Sequence, residues 1–115
     1  MVIRKGSVYW VDFSPGKGYE PMGRRPGLVV QNDLLNDSKL NTVIVVAITS
    51  TLKFGELPGN VTLRKGEANL PKKSVINMTQ IKTVDKASLK ENMGSLTKER
   101  LSQVYKGMKL VMDIP

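Results

Sequence analysis

The eight residues Thr42–Thr49, TVIVVAIT, decide the fold of this chain. Six of them in a row are apolar and five of those are β-branched, which favours a strand over a helix. A strand with so little alternation between apolar and polar positions is typically buried on both faces. We therefore expect this segment to lie at the centre of a sheet.

Shorter patterns on either side of this segment predict further strands. Each combines β-branched or aromatic residues with flanking turn residues, and the predicted strands are 7–13, 27–31, 61–63 and a longer or bent strand 74–84. The polar segment 32–41 predicts one helical turn, and Asp85 is a candidate cap for another short turn through Leu89. Segment 50–60 contains Gly55, Pro58 and Gly59 but little that could pack, which predicts a long, mobile connection.

The C-terminal segment predicts the one clear helix. Apolar residues recur at helical spacing from Leu101 to Met112. Thr97 suits the N-cap, and Leu96 and Leu101 occupy the two positions of a hydrophobic staple. Gly107 should weaken this helix by up to about 1 kcal/mol relative to alanine.

The length of the chain leaves room for a single domain, residues 1–115. Five predicted strands and a terminal helix make it mostly β with a C-terminal helix (β+α), as a small curved antiparallel sheet or partly open barrel packed against the helix. No segment is apolar enough for a signal peptide or a membrane span, so we expect a cytoplasmic protein with no membrane partner.

The chain is strongly basic. Eighteen Lys and Arg against ten Asp and Glu give a formal charge of +8. The excess is uneven, with seven basic and five acidic residues in 1–57 (+2) and eleven and five in 58–115 (+6). Such a surface favours polyanions, of which nucleic acid is the most common. The alternative is a solvated face that only keeps the protein soluble.

Histidine and cysteine are both absent. The chain therefore has no disulfide, no thiolate nucleophile, no Cys-based zinc site and no imidazole to move protons. An enzyme built from this sequence must use Arg, Lys, Glu, Asp, Ser, Thr or Tyr.

Segment 24–33 is where we expect chemistry on a nucleic acid to centre, beginning with Arg24 and Arg25. Pro26 fixes its own φ and biases Arg25 towards an extended backbone. An arginine held at a strand entrance can bind a phosphate with little entropy left to lose. Two solvated surface arginines would fit the same local sequence.

Two further side chains are candidates for the same chemistry. Glu20 is the only acid in the loop before the second predicted strand, where it could transfer a proton, orient an arginine or form half of a weak ion pair. Thr49 ends the central strand, and its hydroxyl could donate to a phosphate oxygen or satisfy the local backbone. Ser50 adds another donor beside it.

Aromatic and lysine side chains could add affinity for RNA. Tyr19 and Phe54 lie in predicted loops and could stack on unpaired bases, whereas Trp10 lies within a strand and is expected in the core. Lysines such as Lys72 and Lys82 supply either phosphate attraction or solubility.

Taken in order, these segments resemble a known family. The motifs are Gly6-Ser7-Val8-Tyr9, Ser14-Pro15, Gly18-x-Glu20, Arg25-Pro26-x-Leu28-Val29-Val30-Gln31-Asn32-Asp33, Val45-Val46-Ala47-Ile48-Thr49-Ser50, Leu57-Pro58, Ser74-Val75-Ile76 and Gln80-Ile81-Lys82-Thr83-Val84-Asp85-Lys86. From about Lys5 to the C-terminal helix, the chain is similar to the MazF/PemK family of toxin endoribonucleases from bacterial toxin–antitoxin pairs, in its Gram-positive MazF-like branch. The resemblance implies a small SH3-like barrel of the CcdB/Kid/MazF type that forms a homodimer.

The activity that the resemblance implies is that of the toxin component of a type II toxin–antitoxin system. Such an mRNA interferase cuts single-stranded RNA at a specific sequence without a metal or other cofactor. The 2′-hydroxyl attacks the neighbouring phosphate and leaves 2′,3′-cyclic phosphate and 5′-hydroxyl ends. A cognate antitoxin protein blocks the RNA groove.

The resemblance also implies roles for particular residues. The family's essential arginine precedes a proline and corresponds to Arg25, its essential threonine closes the Ala-Ile-Thr strand and corresponds to Thr49, and its loop glutamate corresponds to Glu20. Gln80 matches a family position that lines the RNA site. The other candidate RNA-binding residues are Ser50, Arg24, Lys82 and Tyr19.

The chain departs from the family pattern in three places. Pro21 and Met22 replace the usual Gln-Gly after the glutamate, Thr79 replaces an acid and Lys82 replaces an arginine. These departures bear on the sequence that is cut more than on the activity, because the three catalytic candidates all remain.

Two other classes of function fit parts of the sequence. A gyrase-poisoning toxin on the same barrel would bind a protein and cut nothing, but its relatives lack the Arg-Pro and Ala-Ile-Thr pair. A plain RNA-binding barrel module would need only the charge and the size of this chain.

Overall fold

Six antiparallel strands form one sheet in the computed structural model, which describes residues 2–115. The strands lie in the order β4-β5-β3-β2-β1-β6. The elements in chain order are β1 (Ser7–Asp12), β2 (Arg24–Val29), α1 (Asp33–Asn36), β3 (Thr42–Thr49), β4 (Val61–Leu63), β5 (Ser74–Asp85), β6 (Leu89–Ser95) and α2 (Lys98–Met112).

Strand β3 has the bounds and the central position that its sequence predicts. It pairs with β2 on one side and β5 on the other. Its side chains alternate between two apolar clusters: Val46 and Ile48 belong to the one that also holds residues of α2, and Val43, Val45 and Ala47 to the one on the opposite face. The strand is apolar throughout because both of its faces are buried.

The sheet curls so that its two edge strands approach each other. The 3₁₀ turn Glu67–Asn69 follows β4 at one edge and packs on β6 at the other, where the side-chain amide of Asn69 donates to the carbonyl of Met93. Gly94 permits this approach, since its φ is +155° and a Cβ there would lie 3.1 Å from the backbone of Ala68. The result is the small, mostly β half-barrel with a C-terminal helix that the sequence predicts.

Helix α2 begins and packs as predicted. The Thr97 side chain accepts from the backbone N–H of Arg100, which satisfies one of the free donors of the first turn. Val104 is fully buried in the cluster that it shares with β3 and β5. Arg100 also forms a 2.8 Å ion pair with Glu67, which ties the helix to the turn after β4. No helix within residues 2–115 has the length and the apolar character that crossing a membrane requires.

Three predictions about strands and caps are wrong. Segment 89–95 forms the edge strand β6, which its polar composition concealed. Strand β2 begins at Arg24 and ends at Val29 rather than spanning 27–31; Pro26 is tolerated because pairing with β3 starts only at Gly27. A short 3₁₀ turn does follow Asp85, but the Asp85 side chain makes no capping hydrogen bond.

Segment 50–60 is folded rather than a connection with little to pack. Its residues Leu52–Glu56 form a 3₁₀ helix that packs on β5. The side chain of Asn60 closes the segment, because it donates to the carbonyl of Phe54 at 2.9 Å and accepts from the backbone N–H of Met78 at 2.7 Å. Hydrogen bonds of a polar side chain thus hold a segment that the apolar pattern left without structure.

Candidate active site

A cavity of about 290 Å³ opens where the loop after β1, the end of β3 and the middle of β5 meet. Five of the predicted site residues line it: Tyr19, Glu20, Arg25, Thr49 and Gln80. They come from four separate segments of the chain, so their meeting is a property of the fold and not of local sequence. We call this the catalytic cavity.

Arg25 is held by the backbone of its own loop. Its Nε donates to the carbonyl oxygen of Met22 at 2.9 Å, and Arg25 itself pairs with Val11 in the β1–β2 ladder. Within residues 2–115 the guanidinium makes no ion pair and no other hydrogen bond. Its two terminal nitrogens are therefore oriented and available for an anion.

Glu20 does not orient Arg25, although the sequence allows it. Its carboxylate accepts from the backbone N–H of Lys17 at 3.1 Å, which closes the loop on itself. Among the residues that line the catalytic cavity, Glu20 contributes the only carboxylate. It is therefore an exposed carboxylate on the cavity wall rather than a partner of the arginine.

Thr49 forms a hydrogen bond with the local backbone and also lines the cavity. Its half-buried hydroxyl accepts from the backbone N–H of Thr51 at 3.2 Å. A hydroxyl carries a donor as well as acceptor lone pairs, so this bond leaves the proton of Thr49 free to donate. Thr49 can therefore bind the local backbone and donate to a phosphate oxygen at the same time.

An irregular stretch of β5 brings Asn77 and Gln80 to the same cavity. The β3–β5 register passes from Val46↔Ile81 to Ile48↔Ile76, so that Ala47 faces extra residues on β5. Regular alternation would place positions 77 and 80 on opposite faces, and the irregularity re-aims one of them. The sequence predicts a bent strand here but not which side chains the bend presents.

The 3₁₀ helix Leu52–Glu56 forms another wall of the catalytic cavity. Phe54 lines the cavity beside Asn77. Asn60 fixes both, because its amide donates to the Phe54 carbonyl at 2.9 Å and to the Asn77 side chain at 3.3 Å. The roles of Asn60 and Asn77 have no counterpart in the sequence analysis, since neither residue stands in a recognisable motif.

A second cavity of about 350 Å³ adjoins the first. We call it the Trp10 cavity, because Trp10 forms one wall of it together with Arg24, Ser50 and Lys72. Trp10 is half-buried and belongs to neither apolar cluster, so its predicted place in the core is wrong. The reason is its position near the edge of the sheet, where its partner on the edge strand β6 is the exposed Glu91.

The remaining part of segment 24–33 is structural. Gln31 is buried and donates to the Asn36 side chain, and Asn32 caps α1. The carboxyl of Asp33 has a lowered pKa, chiefly because the backbone N–H of Lys5 donates to it. Within this segment only Arg24, Arg25 and Pro26 line either cavity.

Lys82 is the one candidate that lies in neither cavity. It sits opposite Val45 in the β3–β5 pairing, away from the residues that line either cavity. A larger cavity of about 430 Å³ lies between β4 and α2, and none of the predicted site residues lines it. The predicted chemistry is therefore concentrated in the catalytic cavity and the Trp10 cavity.

Comparison with known proteins places this site in a family context. Residues 4–112 match the family described as PemK-like, MazF-like toxin of type II toxin–antitoxin system. The endoribonuclease MazF2 of Mycobacterium bovis is 40% identical over 114 residues, which are 99% of this chain and 100% of that protein. The endoribonuclease MazF6 of Mycobacterium tuberculosis shows the same identity and coverage.

Solved structures agree in fold. MazF from Deinococcus radiodurans superposes with a TM-score of 0.81 at 25% identity, over 99% of each chain. A mycobacterial endoribonuclease in complex with its cognate antitoxin superposes with a TM-score of 0.78 at 23% identity, over 96% of this chain and 95% of that one.

Proposed function

The chain belongs to the PemK-like, MazF-like family of toxins of type II toxin–antitoxin systems and is an endoribonuclease, and from this premise we propose that Arg25, Thr49 and Glu20 carry out the cut. The observation that supports the proposal is their shared cavity, which combines an anchored guanidinium, a free hydroxyl proton and a single carboxylate. The substrate is single-stranded RNA, which can thread an open cavity of this size.

The proposed reaction is an internal transfer of the phosphate. The 2′-oxygen of one nucleotide bonds to the adjacent phosphorus and loses its proton, and the bond from phosphorus to the 5′-oxygen of the next nucleotide breaks. The leaving 5′-oxygen takes up a proton. The products are a 2′,3′-cyclic phosphate and a 5′-hydroxyl, with no water consumed and no metal required.

Each residue has a role suited to its position. The Arg25 guanidinium binds the non-bridging oxygens, where negative charge develops in the transition state. The Thr49 hydroxyl donates to a phosphate oxygen. Glu20 accepts the 2′-proton, because it is the only carboxylate lining the cavity and histidine is absent from the chain.

The residues that contact the rest of the RNA follow from the same geometry. Gln80 and Tyr19 line the catalytic cavity, and Arg24 and Ser50 line the cavity next to it. Tyr19 is 98% exposed, which suits a side chain that orders only when a base stacks on it. The sequence selectivity of the enzyme would reside in these contacts.

The proposal extends to the partners. A type II toxin has a cognate antitoxin protein, and a relative with this fold has been solved in complex with its own. We expect the antitoxin to bind over the basic cavities and thereby exclude RNA. We also expect a homodimer that acts in the cytoplasm.

The test is cleavage of a long RNA by the purified protein in EDTA, with the new ends mapped by sequencing. The expected products are discrete fragments with 5′-hydroxyl ends and 2′,3′-cyclic phosphates. RNA that stays intact in EDTA and is cut only after Mg²⁺ is added would refute the metal-independent mechanism. Fragments with 5′-phosphates would refute the internal transfer.

A further inference from the structure

We propose that the Trp10 cavity binds the base and phosphate of one unpaired nucleotide next to the scissile phosphate. This inference rests on the proposed function and adds to it a second nucleotide site with its own aromatic platform. The argument has three parts: the continuity of the two cavities, the environment of Trp10 and the charge of the walls.

The two cavities are adjacent rather than separate. Met22, Arg25 and Ile48 line both of them. A phosphate held by Arg25 therefore lies at their common wall. If the RNA chain leaves the catalytic cavity past this wall, its next nucleotide enters the Trp10 cavity.

Trp10 is placed as a surface for stacking. Its neighbours along β1, Tyr9 and Val11, are buried in the core, whereas Trp10 points to the opposite face and is half-buried. The guanidinium carbon of Arg24 lies 5.7 Å from the centre of the Trp10 ring, near the outer limit of about 6 Å for an attraction between a cation and a ring. The ring is partly exposed and lines two cavities, so part of it is open to a base.

The charge around the ring suits a phosphate. Arg24 and Lys72 are exposed on the walls of this cavity, Ser50 adds a hydroxyl, and none of the lining residues is acidic. Within residues 2–115 Arg24 forms one ion pair, with Glu91 at 3.8 Å, and both side chains are more than half exposed. Such a pair contributes little, so Arg24 can turn to a phosphate. An aromatic ring with cations beside it fits a ligand that is both planar and anionic, and a nucleotide has both properties.

The test uses an RNA oligonucleotide that carries the cleavage sequence mapped with the native protein, and a series of derivatives with one abasic nucleotide on either side of the cut. Cleavage of each RNA is measured with the native protein, with Trp10→Phe and with Trp10→Leu. Both variants keep an apolar side chain, but only Trp10→Phe keeps an aromatic ring. For the native protein, one abasic position should lower kcat/KM by about 5- to 150-fold, the range expected for loss of one stacked base. Trp10→Leu should lower kcat/KM for the intact RNA by a similar factor and show no further loss with that abasic RNA, while Trp10→Phe should behave much like the native protein.

The inference is overturned if Trp10→Leu cleaves intact RNA as well as Trp10→Phe does, or if it keeps the full abasic penalty. A native protein that cuts no RNA at all would instead refute the proposed function, and the nucleotide site with it. Thermal unfolding of each variant separates a loss of fold from a loss of stacking.

Two lysine variants, one in the cavity and one as a control, test the same cavity without a substitution in any β-strand. Lys72→Ala removes an exposed cation from the Trp10 cavity, and Lys106→Ala removes an exposed cation from α2, outside both cavities. We expect Lys72→Ala alone to raise KM several-fold and to flatten its dependence on salt, because one phosphate contact is lost. Equal KM values and equal salt dependence for the two variants would contradict the phosphate contact.

Discussion

Replacing Gly107 by alanine should destabilise the protein, although glycine is a poor helix former. Gly107 lies inside α2 and is buried against the loop that precedes β4. A Cβ at this position would overlap the carbonyl oxygen of Gly59, and would lie 3.0 Å from the carbonyl carbon of Gly59 and 3.2 Å from the terminal carbon of Met78. Glycine therefore permits a contact between helix and loop that any side chain would prevent.

The magnitude follows from two opposing effects. Alanine gains about 1 kcal/mol of helix propensity over glycine. Overpacking typically costs about 1–3 kcal/mol, and the upper end applies here because the clash is with backbone atoms, which cannot move to another rotamer. Restoring carbon contacts of about 3.5 Å requires α2 and the loop to separate by about 0.5 Å or more. The net loss is about 2 kcal/mol.

This loss is large enough to measure by thermal unfolding. An unfolding entropy of about 2.1 cal/mol/K per residue gives about 0.24 kcal/mol/K for 115 residues. Gly107→Ala should therefore lower Tm by about 8 °C. Ser102→Ala, at an exposed position of the same helix, tests propensity alone and should leave Tm unchanged or raise it by up to about 2 °C. A Tm of Gly107→Ala at or above that of the native protein would show that the contact with Gly59 does not matter.

Three further predictions concern the site and its support. Arg25→Ala should lower kcat by about 10²- to 10³-fold, as expected for loss of a transition-state contact, whereas Arg24→Ala should mainly raise KM; steady-state kinetics in which both variants lose kcat equally would contradict the distinction. The hydrogen bond from Arg100 lowers the pKa of Glu67 below its ordinary value of 4.5, so the free energy of unfolding that this ionised pair contributes is present above about pH 4.5 and is lost as the pH falls through the lowered pKa. Glu67→Gln should therefore be about 1–2 kcal/mol less stable at pH 7 and lose less stability on acidification. Urea unfolding at pH 7 and at pH 3 measures both free energies of unfolding, and an equal loss in the variant and the native protein would disprove the contribution of this ion pair. Asn60→Asp keeps the acceptor for Met78 but removes the donors that hold the cavity wall, so kcat/KM should fall several-fold while the protein still folds; unchanged kcat/KM would show that the wall needs no such support.

The sequence predicts the elements whose burial leaves a regular pattern of apolar residues. Strand β3 is apolar on both faces and has the predicted bounds, and α2 begins at the predicted cap. Strand β6 was missed because it lies at an edge, where Leu89 is its only buried residue and no apolar alternation can develop. The fold of segment 50–60 depends on Asn60, whose partners lie up to 18 positions away in sequence, and no local pattern encodes such a contact.

The sequence names candidate residues for the site but does not predict how they are arranged. The Arg-Pro and Ala-Ile-Thr motifs lead to Arg25 and Thr49, and both line one cavity. That Met22 and not Glu20 orients Arg25 depends on the path of the loop after β1, which no residue type specifies. Trp10 was misplaced for a related reason, since alternation along β1 puts it on the same face as the buried Val8 but does not show that the apolar cluster ends before it.

The anchoring of Arg25 shows how this chain can depart from its family beside the proposed active site and still hold this arginine in place. The acceptor for its Nε is the carbonyl oxygen of Met22, a backbone atom that every residue supplies, so replacing the family's usual glycine at this position leaves the arginine held. The side chain is another matter, because Met22 is 45% exposed and lines both cavities. It therefore stands at the wall between the nucleotide that is cut and the one we place on Trp10. Thr79, the other departure on β5 beside the site, is exposed and lines neither cavity. A backbone atom thus holds the proposed catalytic arginine, and of these two departures it is the Met22 side chain that is positioned to change which bases fit.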